Sequence, residues 1–388
     1  MKTLLSIVIS IVWPVALAAT PTITDVTAQQ RYPWNGKVDI TYTITDAMPV
    51  AAFLKVSATD RSTGSNYVAS ASAISGDVGL NSGTHRIVWD MSGDGLALKS
   101  EDMVFKVSCE VQQYCIIDLS AGSKASSYPV TYLWEAPSGG FNTDEYKATK
   151  MVLRRIEAGS FIMGENQNNN SHRVTLTKPF YCGIFEVTEK QYSLVMGTVC
   201  AYGDTFPKGY MSYDSIRGSL KGAEWPLSSD VDSSSFMGKL RARTGLDFDL
   251  PTDAQWEYAC RAGTTTVYYW GNSISQYGDN DYAWLRGNSG ESPHIVGTKL
   301  PNSWGLYDMC GNMSERCLDW YAQNVAPPYG TDPKGIQEPA NNATRIVRGG
   351  SWVSVSDTDE CRSGYRAGGY AGNSFKQYGF RIVRTISE

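Results

Sequence analysis

From Thr264 to Glu388 the chain carries no sustained apolar repeat, helical or extended; Gly, Asn, Ser and aromatic residues dominate instead. Buried backbone N–H and C=O groups need partners, so such a stretch must find them in side-chain hydrogen bonds, cysteine bridges or bound ions. That restricts the fold to one in which loops are held in place by a scaffold outside themselves.

Ahead of this stretch, three helices are punctuated. Thr188 and Gln191 have capping-box spacing, Tyr192, Val195 and Met196 share an apolar face, and Gly197 can end the helix left-handed. A second helix is expected from an Asp232 cap through Phe236 and Leu240 to Gly245. A third runs from Thr252, with Gln255 as its capping partner, through Trp256, Ala259 and Cys260 to Gly263.

Residues 20–111 read differently. Val38, Ile40, Tyr42 and Ile44 alternate onto one strand face and Ile87, Trp89 and Met91 onto another, with turn residues at Trp34-Asn35-Gly36 and Ser92-Gly93-Asp94-Gly95. This predicts an immunoglobulin-like β-sandwich. It carries no paired carboxylates and no phosphate-binding loop, so its expected task is to display or space another domain. Residues 112–147 hold a possible strand, Cys115 to Leu119, a Ser- and Gly-rich stretch and the apolar weight of Tyr128, Tyr132, Leu133 and Trp134. They are expected as a packed connection into a second domain at 148–388.

Lys2 precedes an apolar run from Leu4 to Val15, and Ala16-Leu17-Ala18 has the small residues of a signal-peptidase site. Residues 1–18 are therefore expected to be a signal peptide, placing the mature chain in the periplasm, at the cell surface or outside the cell, with no membrane span. Eight cysteines could then pair, in any of 105 complete arrangements. The net charge of -5 and pI of about 5.4 offer no footprint for nucleic acid. His85, His172 and His294 stand apart, without the close pair of a helical zinc motif.

Several phrases in the second domain together resemble the formylglycine-generating enzyme, or sulfatase-modifying factor, family. They are Ile156 to Gly164 (IEAGSFIMG), His172 to Leu176 leading to Phe185-Glu186-Val187-Thr188, Leu250 to Gly263 (LPTDAQWEYACRAG), Pro301 to Asn312 (PNSWGLYDMCGN), Arg348 to Trp352 (RGGSW) and Tyr378 to Arg384 (YGFRIVR). The resemblance implies an α+β chain: an N-terminal β-sandwich followed by a loop-rich variant of the C-type lectin fold with few helices.

Catalysts of that family oxidise a sulfatase cysteine to formylglycine, using copper(I) between two thiolates, which as soft ligands suit that ion. Here the first thiolate position reads Ser354 and the second Cys361. A serine hydroxyl stays protonated at neutral pH and grips copper(I) poorly, so copper is not expected. The resemblance also implies a calcium loop, with Asp308 and Glu315 giving side-chain oxygens and Gly311 and Met313 backbone carbonyls. Between RGGSW and YGFRIVR the chain is rich in Ser, Gly, Tyr, Asp and Asn, the composition of a recognition surface. It is similar in this to variable proteins diversified by retroelements. Ligand contacts are expected from Ser354, Val355, Ser356, Asp357, Asp359, Ser363, Tyr365, Tyr370, Asn373, Phe375 and Tyr378. The sequence thus points to a secreted, non-catalytic protein binding an extracellular protein or glycan. The alternative is a copper-dependent oxidase making formylglycine, with Ser351 near the oxygen site and Cys361 as its matching thiolate.

Overall fold

A computed structural model describes residues 22–31, 35–45, 52–96, 102–164, 171–274, 281–322, 329–339, 344–355 and 359–386. The expected signal peptide, Trp34, Ser356 and Asp357 lie outside the described residues. The chain divides into two compact units, one running to Gln112 and the other from Gln113 to Ser387. Among the described residues no helix is long and apolar enough to cross a membrane.

The first unit is a sandwich of two antiparallel sheets. Its strands are β1 (Ile23–Gln30), β2 (Lys37–Ile44), β3 (Ala52–Asp60), β4 (Ser65–Val68), β5 (Ile74–Gly76), β6 (Gly83–Asp90) and β7 (Met103–Val111), in the orders β1-β2-β6-β5 and β4-β3-β7. Alternation does the work. On β2 the side chains of Val38, Ile40, Tyr42 and Ile44 are buried, and they meet Ile87, Trp89 and Met91 together with Val56, Ala58 and Val107 of the facing sheet. The turn after β6 is fixed from inside, because the Trp89 indole N–H donates to Asp94 at 2.7 Å while Gly95 takes a φ of 73°.

The second unit begins with β8 (Tyr114–Asp118), β9 (Val130–Leu133), α1 (Asp144–Ala148), β10 (Lys150–Ile156), β11 (Gly159–Met163), β12 (His172–Leu176) and β13 (Phe180–Gly183). Its remaining helices are α2 (Glu189–Met196), α3 (Tyr213–Arg217), α4 (Phe236–Thr244) and α5 (Asp253–Arg261). Short strands follow: β14 (Ser314–Tyr321), β15 (Gly330–Thr331), β16 (Thr344–Arg348), β17 (Ala367–Gly369), β18 (Tyr378–Gly379) and β19 (Val383–Thr385). They form sheets ordered β19-β13-β10-β8-β9, β11-β12-β15 and β17-β16-β14-β18. The stretch 112–147, read from the sequence as a connection, thus holds β8, β9 and most of α1 of this unit, and β19 pairs with β13.

Helices α2 and α5 begin with complete capping boxes at Thr188 and Thr252. Helix α4 corrects the expected cap: Ser235, not Asp232, accepts from the Gly238 N–H at 3.1 Å. Asp232 is held elsewhere, accepting from the N–H groups of Leu220 and Lys221 at 3.0 and 2.8 Å. The third helix also stops one residue early, because Ala262 already takes the left-handed conformation at φ 46°.

Buried arginines hold the loops. Arg316 donates to the carbonyls of Gly369 and Asn373 at 2.9 and 2.7 Å, and Arg345 to those of Leu318 and Ala223 at 2.8 and 2.6 Å. Burial pushes both guanidinium groups down to about 10, and aromatic faces partly compensate. Arg345 lies 3.3 Å from the Trp320 ring centre and Arg316 4.4 Å from that of Tyr378.

Candidate functional site

The glycine pair after β16 makes a turn that only small residues fit. Gly349 and Gly350 have φ of 89° and 65°, and a Cβ on Gly350 would stand 2.5 Å from the Cys361 sulfur. The following turn is closed by the residue in the first thiolate position. The Ser354 hydroxyl accepts from the Ser351 N–H at 2.9 Å and donates to the Glu360 carboxylate in a short hydrogen bond. Both its roles are taken, and Ser351 and Ser354 are buried.

Cys361 is buried beside Cys310, whose thiol donates to the Cys361 carbonyl at 2.9 Å. Cys260, from α5, donates its thiol to the Met309 carbonyl at 3.9 Å and lies beside Cys310 and Ser363. Three thiols therefore converge inside the core. Burial pushes the thiols of Cys310 and Cys361 up. Burial acts the same way on Cys260, but the neighbouring Cys310 and Ser363 side chains and the Arg261 charge together outweigh it and its net direction is down. Cys317 is also buried, and Cys115, Cys182, Cys200, Cys260, Cys310, Cys317 and Cys361 form no disulfide.

The expected calcium ligands sit in a buried carboxylate cluster. Both oxygens of Glu315 are occupied: Arg381 donates from Nε at 2.9 and 2.7 Å, and the Trp256 indole N–H reaches Oε2 at 2.7 Å. Asp308 accepts from the Gly297 N–H at 2.7 Å through Oδ2, while its Oδ1 is buried without a partner. Of the two expected carboxylate ligands only Asp308 keeps an open oxygen. With Glu315 committed to Arg381, the set Asp308, Gly311, Met313 and Glu315 does not fit that ion, and among the described residues no three His, Cys, Asp or Glu side chains form a metal-holding group.

Glu186 completes this cluster, and its role was not read from the sequence. Its carboxylate accepts from the Asn312 side chain at 2.7 Å and the Met313 N–H at 2.8 Å, which fastens the loop after Cys310 to the strand region before α2. Burial raises its carboxyl, with Asp308 and Glu315 adding to the effect, and burial raises Asp308 to about 6. The available signal was an acid embedded in the apolar run Ile184-Phe185-Glu186-Val187.

The terminal candidates separate into inner and outer sets. Ser354 and Ser363 are buried, and Tyr365 and Tyr378 are half-buried. Val355, Tyr370, Asn373 and Phe375 are exposed. Arg348 from β16 anchors the segment from beneath, donating to the carbonyls of Ser363 and Tyr365 at 3.1 and 2.9 Å and to Asp253 and Glu257 of α5 at 2.6 and 2.9 Å. Asp359 opens a short 3-10 turn ending at Cys361.

The family model described as "Sulfatase-modifying factor enzyme 1-like domain" matches residues 138–386. The serine/threonine-protein kinase pkn1 of Chlamydia pneumoniae is 34% identical over 249 residues, which are 62% of this chain and 38% of that protein. The formylglycine-generating enzyme of Mus musculus is 26% identical over 280 residues, 60% of this chain and 74% of that one. The solved structure of PvdO from Pseudomonas aeruginosa is similar at a TM-score of 0.50 and 21% identity, over 61% of this chain and 94% of that one, which speaks to shared fold alone. The match spans only 38% of the length of the first of these relatives.

Proposed function

The chain belongs to the sulfatase-modifying factor enzyme 1-like domain family, and from that premise we propose that it is a secreted, non-catalytic binding protein whose C-terminal loops recognise an extracellular ligand. One observation carries the reading. At the position where catalysts of the resembling family place their first copper thiolate, the Ser354 hydroxyl is already used in both directions, by the Ser351 N–H and by Glu360, to close a structural turn. A protonated oxygen lacks the softness to grip copper(I), and here its orientation is fixed by the turn it closes.

Two further features support recognition over oxidation. The exposed Val355, Tyr370, Asn373 and Phe375 lie on a segment whose backbone is pinned by Arg316 and Arg348, so they would meet a partner with little ordering cost. The signal-like Lys2 to Ala18 stretch supports export. The competing oxidase reading draws on the convergence of Cys260, Cys310 and Cys361, but these thiols are enclosed in the core, where burial disfavours the thiolate of Cys310 and Cys361.

The test pairs two assays on purified full-length protein. Binding on protein and glycan arrays is expected, and replacing Tyr370 and Phe375 together by alanine should abolish it. Incubation with copper(I), air and a cysteine peptide of sulfatase type should leave the peptide unchanged. Formation of its aldehyde would overturn the proposal.

A further inference from the structure

A cleft of about 220 Å³ opens on the second unit, lined by Arg286, Glu291, Trp352, Val353 and Lys376. It joins the loop after Leu285 to both ends of the terminal segment. The Arg286 N–H donates to the Ser354 carbonyl at 3.0 Å, which seats this loop against the turn that Ser354 closes. Arg286, Glu291 and Lys376 are exposed, and among the described residues neither cation forms an ion pair.

Trp352 is buried at 3% exposure, yet among the described residues its indole N–H finds no acceptor. Leaving such a donor unpaired inside a protein is costly, so it normally has a partner, in the protein or outside it. Lys376 places its ammonium 4.5 Å from the centre of the same ring.

We infer that this cleft receives an acidic peptide segment, with a glutamate or aspartate side chain between Arg286 and Lys376, a main-chain carbonyl accepting from Trp352 and a main-chain N–H donating to Glu291. Each polar lining group then meets its complement: two cations without an ion pair meet a carboxylate, an orphan donor meets a carbonyl, and a carboxylate meets an amide. The cleft's size suits one or two amino-acid side chains. An acidic sugar is disfavoured because pyranose rings bind best against open aromatic faces, and the Trp352 ring is buried and already covered by Lys376. The inference rests on the ligand-binding reading above and gives it a chemical class.

Calorimetric titration of the full chain tests it, using an N-acetylated, C-amidated tetraglutamate. Saturable binding that weakens with salt is expected, with no binding by the tetraglutamine analogue. The Arg286→Ala, Lys376→Ala double variant, which alters only exposed side chains, should weaken binding about tenfold or more. Trp352→Phe, which keeps an aromatic ring and removes the donor, should weaken it about tenfold when circular dichroism shows the fold intact. The inference is overturned if tetraglutamate does not bind, if the double variant binds as wild type, or if an oligogalacturonate binds as tightly as the peptide. If the Tyr370 and Phe375 variant loses its array ligand while the Arg286 and Lys376 variant keeps it, the cleft assignment fails and the binding reading stands; aldehyde formation defeats that reading whatever the titration shows.

Discussion

Replacing Arg348 by methionine removes the tie between α5 and the terminal segment while keeping most of its volume. The loss can be worked from what each partner keeps. Glu257 retains Arg261 and the Gly164 N–H on Oε1, both at 2.8 Å, but its Oε2 loses Arg348. Asp253 retains Arg366 at 2.7 Å on Oδ2 and loses its bond on Oδ1. The carbonyls of Ser363 and Tyr365 lose their donor outright. Breaking a buried ion pair from one side costs about 3–5 kcal/mol, and because both carboxylates keep a cation the loss should fall near about 3 kcal/mol. Urea unfolding followed by tryptophan fluorescence measures the transition of the second unit, and hydrogen exchange reads residues 361–366 directly. Both should report the loss, with exchange in that segment accelerated beyond the global change. Arg348→Lys should recover only part, since one ammonium cannot serve two carboxylates and two carbonyls in plane. A loss below about 1 kcal/mol, or full rescue by lysine, would refute the view that this arginine holds the terminal segment.

Other expectations follow from the same network. Asp319 is buried and raised from 3.8 to about 6, by burial first and then by Asp253. Its folded state therefore holds the proton more tightly than the unfolded one, so its contribution is complete below about pH 4 and is lost as pH rises through 6. The change is about 3 kcal/mol, and the stability difference between wild type and Asp319→Asn should vary by that amount across the window; a flat difference would refute it. Gly350→Ala puts a methyl group 2.5 Å from the Cys361 sulfur at a φ of 65°, and should cost about 2–4 kcal/mol in thermal or urea unfolding; an unchanged midpoint would contradict the tight turn. Because Glu315 is committed to Arg381, a calcium chelator should leave the melting temperature unchanged. A calcium-dependent rise that Asp308→Asn removes would show that the carboxylate cluster rearranges to bind the ion.

What the sequence disclosed was local. The capping boxes at Thr188 and Thr252 and the alternation on β2 are decided by neighbours within a few residues, and each was legible. Strand β14 was not, because seven of its eight residues, Ser314 to Trp320, are buried and no alternation survives. Its charges at Glu315, Arg316 and Asp319 mimic a solvated loop, yet each is buried with a partner far away in sequence. Arg381 lies 66 positions from Glu315, and Met211, which Arg316 contacts at 3.4 Å through its carbonyl, lies 105 positions away. Spacing cannot show such pairs. The pairing of Glu315 with Arg381 was hidden for the same reason: an acid in a glycine-containing turn looks the same whether its complement is an ion or a distant guanidinium.

The chemistry of the anchoring also bears on how a binding surface can be carried here. Arg316 and Arg348 grip the terminal segment through the carbonyls of Gly369, Asn373, Ser363 and Tyr365, and Ser314 adds a backbone bond to the Gln377 carbonyl at 2.8 Å. A carbonyl is the same acceptor whichever side chain its residue bears. Exposed side chains such as Tyr370, Asn373 and Phe375 can therefore change without touching the bonds that hold their backbone, and surface changes of that kind usually alter stability by no more than about 0.5 kcal/mol. A scaffold pinned by side chains from beneath separates the shape of the loop from the chemistry it presents. An enclosed thiol core and a serine-closed turn would confer no such freedom on an active site, whereas a recognition surface gains directly from it.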